Sequence, residues 1–220
     1  MFDYWFTQFN FPNAEGKPYK TSGGTMYWNN KLKRNIPKEM GAITVGDVCI
    51  CHDSERVPLS NTERLHRQGS IPYYGATGIM DYVDNHLFDG DYILLAEDGS
   101  VMTDKGTPIM QRIHGKTWVN NHAHVLEPIN GYSCLLLYML LKDIPVVQIK
   151  TGSIQYKINQ ENLSNYHVLH IPRYHRELYI SKTTCIEGKM LEIRAENQKL
   201  IQLRNWLLPF LMNGQAAIAD

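Results

Sequence analysis

Apolar residues are spaced in two ways along this chain, and the change comes near residue 173. Before it they fall in short runs, rich in β-branched residues and cut by turn signals, which predict strands. Val45 to Cys51 is one such run. Asp91 to Ala96 is another, opened by Asp89-Gly90 and closed by Glu97-Asp98-Gly99. Ile109 to Ile113 and Thr117-Trp118-Val119 flank His114-Gly115-Lys116, which predicts a hairpin turn there. His122 to Leu126 alternates and stops at Pro128, and Val146 to Ile149 and Val168 to Ile171 complete the set. One helix is expected between Tyr132 and Lys142, bounded by Gly131 and Pro145. Many strands with a single short helix predict an α+β fold on an irregular, heavily curved sheet.

From residue 173 to about 212 the apolar positions step by three and four instead. Ile186, Met190, Ile193, Leu200 and Leu207 form a stripe, with Asn197 in its vacant slot. If Met190 is a heptad a position, Ile193, Leu200 and Leu207 are d positions, while Asn197 and Arg204 occupy a. A polar residue at a fixes register and partner choice. A helix of about 39 residues would be ~58 Å long at 1.5 Å per residue. Its own domain cannot cover that length, so the pattern predicts a coiled-coil-type arm seeking a second helix, from another copy or a partner subunit. The alternative is an amphipathic helix folded back on its own domain. Gly188 is the weak point, costing about 1 kcal/mol against Ala.

Composition adds limits. Hydrophobic residues are 43% and charged residues 20%, enough apolar material for a sizeable core. Lys+Arg and Asp+Glu are 22 each, so the formal net charge is zero. That weighs against a free-standing DNA binder, which draws most non-specific affinity from Lys and Arg, but not against a DNA reader clamped by partner subunits. Cys49, Cys51, Cys134 and Cys185 lack zinc-knuckle spacing and read as reduced thiols. No signal peptide is visible, and the longest apolar run, Cys134 to Leu141, is far below the ~20 residues needed to span a bilayer. These features predict a soluble, cytoplasmic protein that does not engage membranes.

Catalytic motifs are scarce. Gly115-Lys116-Thr117 mimics the end of a phosphate loop, but the glycine required five positions earlier is Met110. Glu187-Gly188-Lys189 imitates part of a nuclease site, yet it lies on the predicted helix without a strand-borne Asp beside it. No Gly-x-Ser-x-Gly elbow is present. His122-x-His124 places two imidazoles on one face of a predicted strand, an incomplete metal site that packing or hydrogen bonding explains better.

The two ends of the chain carry its most specific patterns. Asp3-Tyr4-Trp5-Phe6-Thr7-Gln8-Phe9-Asn10-Phe11-Pro12-Asn13, followed by Gly16 to Gly24, crowds five aromatics into the nine residues before Pro12, ahead of further Pro and Gly punctuation. The string resembles the segment preceding a target-recognition domain in the DNA-specificity subunits of type I restriction–modification systems. Leu207-Leu208-Pro209-Phe210-Leu211-Met212-Asn213-Gly214-Gln215 is similar to the end of the same subunits. A full subunit carries two recognition domains and two long helices, whereas this chain has room for one of each. The resemblance implies an aromatic opening segment over 1–36, a target-recognition domain over 37–172 and a helical arm over 173–220. It further implies sequence-specific binding of double-stranded DNA, no catalysis and no cofactor. Modification (methyltransferase) subunits using S-adenosylmethionine and a restriction subunit using ATP would be the partners. A homodimer or a second half-subunit would pair through Ile186, Met190, Ile193, Asn197, Leu200 and Leu207. The alternatives are an assembly or decoy protein that pairs with intact specificity subunits without binding DNA, and a small metal-dependent nuclease.

Two loops suit DNA contact. Ile71 to Ile79, similar to a recurring element of these recognition domains, offers Tyr73, Tyr74 and Thr77 among glycines that allow close approach. The tyrosines packing inward is the other reading of this loop. Lys150 to Gln160 offers Lys150, Thr151, Ser153, Gln155, Tyr156 and Lys157, with cations for phosphates and amides for adenine. Lys105, Arg112 and Lys116 are further phosphate candidates, and Asn121 and His122 present donors to bases or phosphates.

Overall fold

The computed structural model describes residues 1–152 and 156–214, and its contacts divide the chain into Met1–Arg176 and a second unit from Glu177. The first unit opens on one π-helical turn, Asp3–Thr7, which buries Trp5 and Phe6. Phe9 and Phe11 are buried as well. Phe11 stacks on Tyr19 with ring centroids 4.8 Å apart and meets His175 at 4.4 Å. Phe9 takes φ 62°, a left-handed conformation that a bulky residue holds only when its surroundings fix it. The Arg34 guanidinium lies 5.1 Å over its ring.

A hairpin follows, β1 (Met26–Asn29) against β2 (Arg34–Pro37), and its tip is shaped by Asn29 Oδ1, which accepts the N–H groups of Lys31 and Leu32. β3 (Gly41–Thr44) leads into the run expected as one strand from Val45 to Cys51. That run divides: Val45–Asp47 is a 3₁₀ turn and only β4 (Cys49–Cys51) is extended. The cause is local, because the Asp47 carboxylate accepts both the N–H and the hydroxyl of Thr44 and closes the turn. A further short helix, α1 (Asn61–His66), was not anticipated, although its capping box of Ser60 and Glu63 is legible in the sequence.

β5 (Gln68–Tyr74), β6 (Ile79–Val83), β7 (Phe88–Ala96), β8 (Met110–Val119) and β9 (Ala123–Pro128) join β4 in a six-stranded sheet of order β4-β9-β7-β8-β5-β6. Neighbours are antiparallel except β5 and β8, which run parallel at Tyr73↔Trp118 and Tyr74↔Val119. The hairpin turn expected at His114-Gly115-Lys116 does not form. β8 continues through it without a break in hydrogen-bonded register with β7, from Phe88↔Thr117 to Leu95↔Met110. Gly115, at φ 74°, faces Gly90 in that register, so a bend replaces the turn. The bend is large. Gln111 and Val119 would stand about 26 Å apart on a straight strand, yet Val119 pairs with Tyr74 while the Gln111 amide reaches the next carbonyl, Gly75 O, at 3.5 Å. Inside the curl lie Phe88, Leu94, Ile113, Val119, Ala123 and Val125.

The expected helix is α2 (Cys134–Leu141), apolar nearly all round, and it packs on β7, β8 and β9. Val146–Gln148, expected within a strand, is a 3₁₀ turn. Val146 and Ile149 are buried while Val147 and Gln148 are exposed, a period of three rather than two. β10 (Lys150–Thr151) and β11 (Lys157–Ile158) form a small hairpin, followed by α3 (Gln160–Asn165) and β12 (His167–His170), which pairs with β3.

α4 (Arg173–Met212) is one helix of 40 residues, with Pro209 in its last turn. Ile186, Met190, Ile193, Asn197 and Leu200 are exposed and Leu207 is half-buried. Ile201, Leu203, Trp206, Leu208, Phe210 and Leu211 are exposed too, so the apolar surface broadens towards the end of the helix. No helix among the described residues is long and apolar enough to cross a membrane.

Two glycines give opposite expectations. At the β5 bulge a Cβ on Gly69 would lie 2.3 Å from Val83 O and 2.6 Å from Asp84 Cα, so Gly69→Ala should destabilise the protein by about 2 kcal/mol. Gly188 has open space around it inside α4, so Gly188→Ala should stabilise the helix by about 1 kcal/mol. Urea unfolding followed by circular dichroism measures both.

Candidate nucleic-acid interface

The curl of the sheet brings several strand ends to one rim. Tyr74 O accepts the Asn120 N–H at 3.0 Å, and Asn120 Oδ1 accepts the His122 N–H at 2.8 Å. His122 O accepts the Glu97 N–H at 2.9 Å, and Glu97 O accepts the Ile158 N–H at 2.8 Å. Four hydrogen bonds thus link the end of β5, the β8–β9 connection, the end of β7 and β11.

Most of the sequence-predicted site residues fall on or beside this rim. Ile71 to Ile79 is mostly strand rather than loop, and only residues 75–78 turn. Tyr73 takes the inward-packed of its two roles: it is 1% exposed, and its hydroxyl accepts the Leu59 N–H at 3.0 Å. Tyr74 is half-buried and Thr77 is exposed on the turn. A Cβ on Gly75 would lie 2.4 Å from Met80 Sδ, so the turn is drawn tightly onto β6. Asn121 and His122 are exposed, and His122 Nδ1 lies 2.6 Å from Asp98 Oδ1. Lys150 is half-buried with its ammonium 3.4 Å from the Tyr156 ring centroid. The exposed Thr151 donates its hydroxyl to Lys157 O at 3.2 Å. Ser153 and Gln155 lie outside the described residues. Lys105 is exposed on the β7–β8 loop, which is tied to the turn before β10 where Gly106 O accepts the Val146 N–H. Arg112 is half-buried on β8 opposite Ile93. Lys116 is exposed opposite Asp89, past the Gly90–Gly115 bend, and is not part of the bonded rim.

Beneath the rim lies a network of charges in which sequence reasoning missed Asp53, Arg56 and Glu97. Arg56 is almost fully enclosed. Its Nη1 donates to Glu97 Oε2 at 2.7 Å and to Ala123 O at 2.6 Å, while Nη2 is 3.3 Å from Asp53 Oδ2. Asp53 Oδ2 also receives His124 Nδ1 at 2.5 Å, and His124 Nε2 faces Ile158 O at 2.9 Å. Lys157 Nζ reaches Glu97 Oε1 at 2.9 Å. The foot of the β10–β11 hairpin is therefore held by Glu97 and His124 together. His122 and His124, weighed as a metal pair, each serve a separate carboxylate.

Burial alone would raise the Asp53 carboxyl, but the His124 imidazole and the Arg56 guanidinium outweigh it and hold the group below its ordinary range. Glu97 behaves likewise, with Arg56 and Lys157 overcoming its burial, and its carboxylate in turn lifts Lys157. Burial pushes the Cys49 thiol up to about 12 and raises Cys51 as well, so neither is a ready nucleophile. Cys51, Asp53 and His124 place three potential ligand atoms within 4.8 Å of one another. The Arg56 guanidinium already supplies the positive charge there, so the arrangement serves as an internal ion network. A lone arginine in a polar stretch has no periodic signature; the Asp53-x-x-Arg56 spacing of a turn-borne ion pair is the one available hint.

Removing this cation should cost heavily: Arg56→Ala is expected to destabilise by about 3–5 kcal/mol, measured by urea unfolding. The pH profile follows from the shifts. Asp53 and Glu97 are depressed in the fold, so they stabilise it above their unfolded values, near 3.8 and 4.5, and lose that contribution as pH falls through the folded ones. His52 runs the other way. Burial would lower it, but Glu55 and Glu127, at 2.6 and 2.7 Å from its two ring nitrogens, raise it above 6.5. Its contribution is complete below 6.5 and is lost as pH rises through the folded value. Melting temperature should therefore fall on both sides of about pH 5 to 6.5. Glu97→Gln should flatten the acid limb and His52→Gln the alkaline limb.

Residues 37–174 match the family described as type I restriction modification DNA specificity domain. The putative type I restriction enzyme specificity subunit S.HindORF215P of Haemophilus influenzae is 32% identical over 111 residues, covering 50% of this chain and 28% of that protein. The type I restriction enzyme EcoprrI specificity subunit of Escherichia coli is 23% identical over 139 residues, 63% of this chain and 33% of its own length. The chain thus spans a third or less of these curated relatives. Its fold is similar to the crystal structure of the type I restriction–modification S subunit from M. genitalium, with a TM-score of 0.55 and 20% identity over 78% of this chain and 45% of that one. With the strand-rich domain and the family match in agreement over the same residues, the chain belongs to the type I restriction modification DNA specificity domain family.

Proposed function

We propose that this chain binds double-stranded DNA sequence-specifically and supplies target recognition to a type I restriction–modification complex, without catalysis of its own. The observation that carries the reading is the rim, where residues from four strand ends converge on one hydrogen-bonded edge within the family's DNA specificity domain. Thr77, Asn121, His122 and Thr151 would meet base edges, since hydroxyl, amide and imidazole groups read donor and acceptor patterns. Lys105, Lys150 and Lys157 would meet phosphates, with Arg112 and Lys116 adding contacts from β8. Tyr74 and Tyr156 frame the edge, and Tyr73 supports it from the core. A formal net charge of zero leaves little general affinity for DNA, so modification subunits would complete the clamp, and a restriction subunit would join them for cleavage.

The apolar stripe on α4 would pair with the same stripe on a second copy or on another half-subunit. A symmetric pair would read an inverted repeat with a spacer.

Selection from a randomised duplex pool, with the modification subunits present, should enrich a defined sequence. Asn121→Ala and Thr77→Ala should each relax preference at one position, by about 1–3 kcal/mol. Lys105→Ala should weaken all sequences alike and reduce the salt slope by about one. Helix-dependent association with no enriched sequence would favour the decoy reading. Light scattering gives the mass of the intact chain and of an Ile193→Asp/Leu200→Asp variant. The expected outcome is a dimer lost in the variant, while a monomer in both would assign the stripe to a different subunit.

A further inference from the structure

A cleft of about 690 Å³ lies within the first unit, between the β1–β2 hairpin, α2 and β12. Arg34 lines it. Its guanidinium rests over the Phe9 ring and near the Tyr166 phenol, yet among the described residues it has no carboxylate partner and no side-chain hydrogen bond. Arg56, Arg64 and Arg67 each sit on a carboxylate, and Arg34 does not. Burial pushes its pKa below the usual arginine value, the mark of a cation partly withdrawn from water without a counterion.

The surroundings repeat the sign. Lys31 and Lys33, exposed at the hairpin tip, line the same cleft and enter no ion pair among the described residues. The one acid in the lining, Asp143, already has Lys142 Nζ at 3.6 Å. The first 40 residues hold six Lys and Arg against three Asp and Glu, although the whole chain is neutral. Two groups in the rest of the lining matter for a ligand. Phe6, Met139, Leu140 and Ile144 give an apolar floor, and Gln148 and Asn165 bring carboxamides that each carry a donor and an acceptor.

We propose that this cleft takes an acidic side chain presented on a short apolar peptide segment of a partner protein. Arg34 receives the carboxylate, whose two oxygens match its planar fork. Lys31 and Lys33 draw the acid in, and the neighbouring apolar residue covers the floor. The two carboxamides pair with the peptide groups on either side. A duplex backbone has no apolar body to fill such a floor, and a free phosphate satisfies the cations but leaves the floor wet. The site stands on its own geometry and does not depend on the DNA reading.

The test is a titration of the ¹⁵N-labelled full chain with acetyl-Leu-Glu-Phe-amide, its Gln counterpart, inorganic phosphate and a random duplex. The Glu peptide should saturate the Arg34 Nε–H, Gln148 and Asn165 side-chain signals. The Gln peptide should bind at least about tenfold more weakly, for want of the charge-assisted bond. Neither phosphate nor duplex should displace the Glu peptide at matched concentration. Arg34→Gln should abolish the response. Should that variant disturb the packing on Phe9, Lys31→Ala/Lys33→Ala keeps the fold and should weaken binding several-fold. Equal binding of the Gln peptide, displacement by phosphate or duplex, or no response to any probe would each overturn the assignment.

Discussion

Arg56 is the cation on which the rim depends. Its guanidinium ties the turn carrying Asp53 to the end of β7 at Glu97 and to the start of β9 at Ala123. Glu97 passes the connection to Lys157, and Asp53 passes it through His124 to the Ile158 carbonyl. Charges taken out of water are tolerable only when every one is answered, and here each carboxylate oxygen in the chain of contacts meets a donor. The network sets where the β10–β11 hairpin stands relative to Asn121 and His122. Surface side chains of a recognition domain need such support, because exposed residues on loops cannot hold their own positions against entropy.

The second constraint is the bend at Gly90 and Gly115. A flat antiparallel sheet would spread the ends of β5, β7 and β9 along two opposite edges. Curling β8 through Gly115 brings Gln111 and Val119 to the same Tyr74–Gly75 corner, so the ends of strands that run in different directions share one rim. The interior of the curl needs small and large apolar residues from both arms of the same ribbon, and Phe88 with Leu94 and Ile113 with Val119 provide them. The Gly90–Gly115 pair therefore marks the bend that shapes the rim, although neither residue has a side chain to offer.

That bend also shows where sequence reading succeeds and fails. The apolar run through Leu94 and Leu95, the all-apolar α2 and the three-and-four stepping of α4 were legible, because burial imposes a period on each. Gly115 predicts a turn from sequence because glycine permits both a reversal and a bend; the choice is made by β7, which offers β8 a partner on either side of it. Val146 to Ile149 looked like a strand from its β-branched residues, but Val146 and Ile149 are three apart and both buried. In the site, the polar residues at the strand ends were legible as types. Their convergence was not, because it arises from long-range pairing of Tyr74, Asn120, Glu97 and Ile158. Arg34 carries no pattern at all and Arg56 only its spacing from Asp53, as an isolated arginine reads as surface until its neighbours are known.

Those two arginines separate what holds the fold from what awaits a ligand. Both are largely withdrawn from water. Arg56 spends its donors inward, on Glu97, Asp53 and Ala123, and the chain is complete around it. Arg34 has only a ring face and a phenol, with two further cations at the mouth of its cleft and no free acid in the lining. Desolvating a cation without an acceptor works against stability. Phe9 holds a left-handed backbone beneath the same guanidinium, so that corner carries two unfavourable terms in direct contact. Packing alone does not require either of them; an incoming carboxylate relieves the first and turns an unfavourable corner of the fold into a place for a partner.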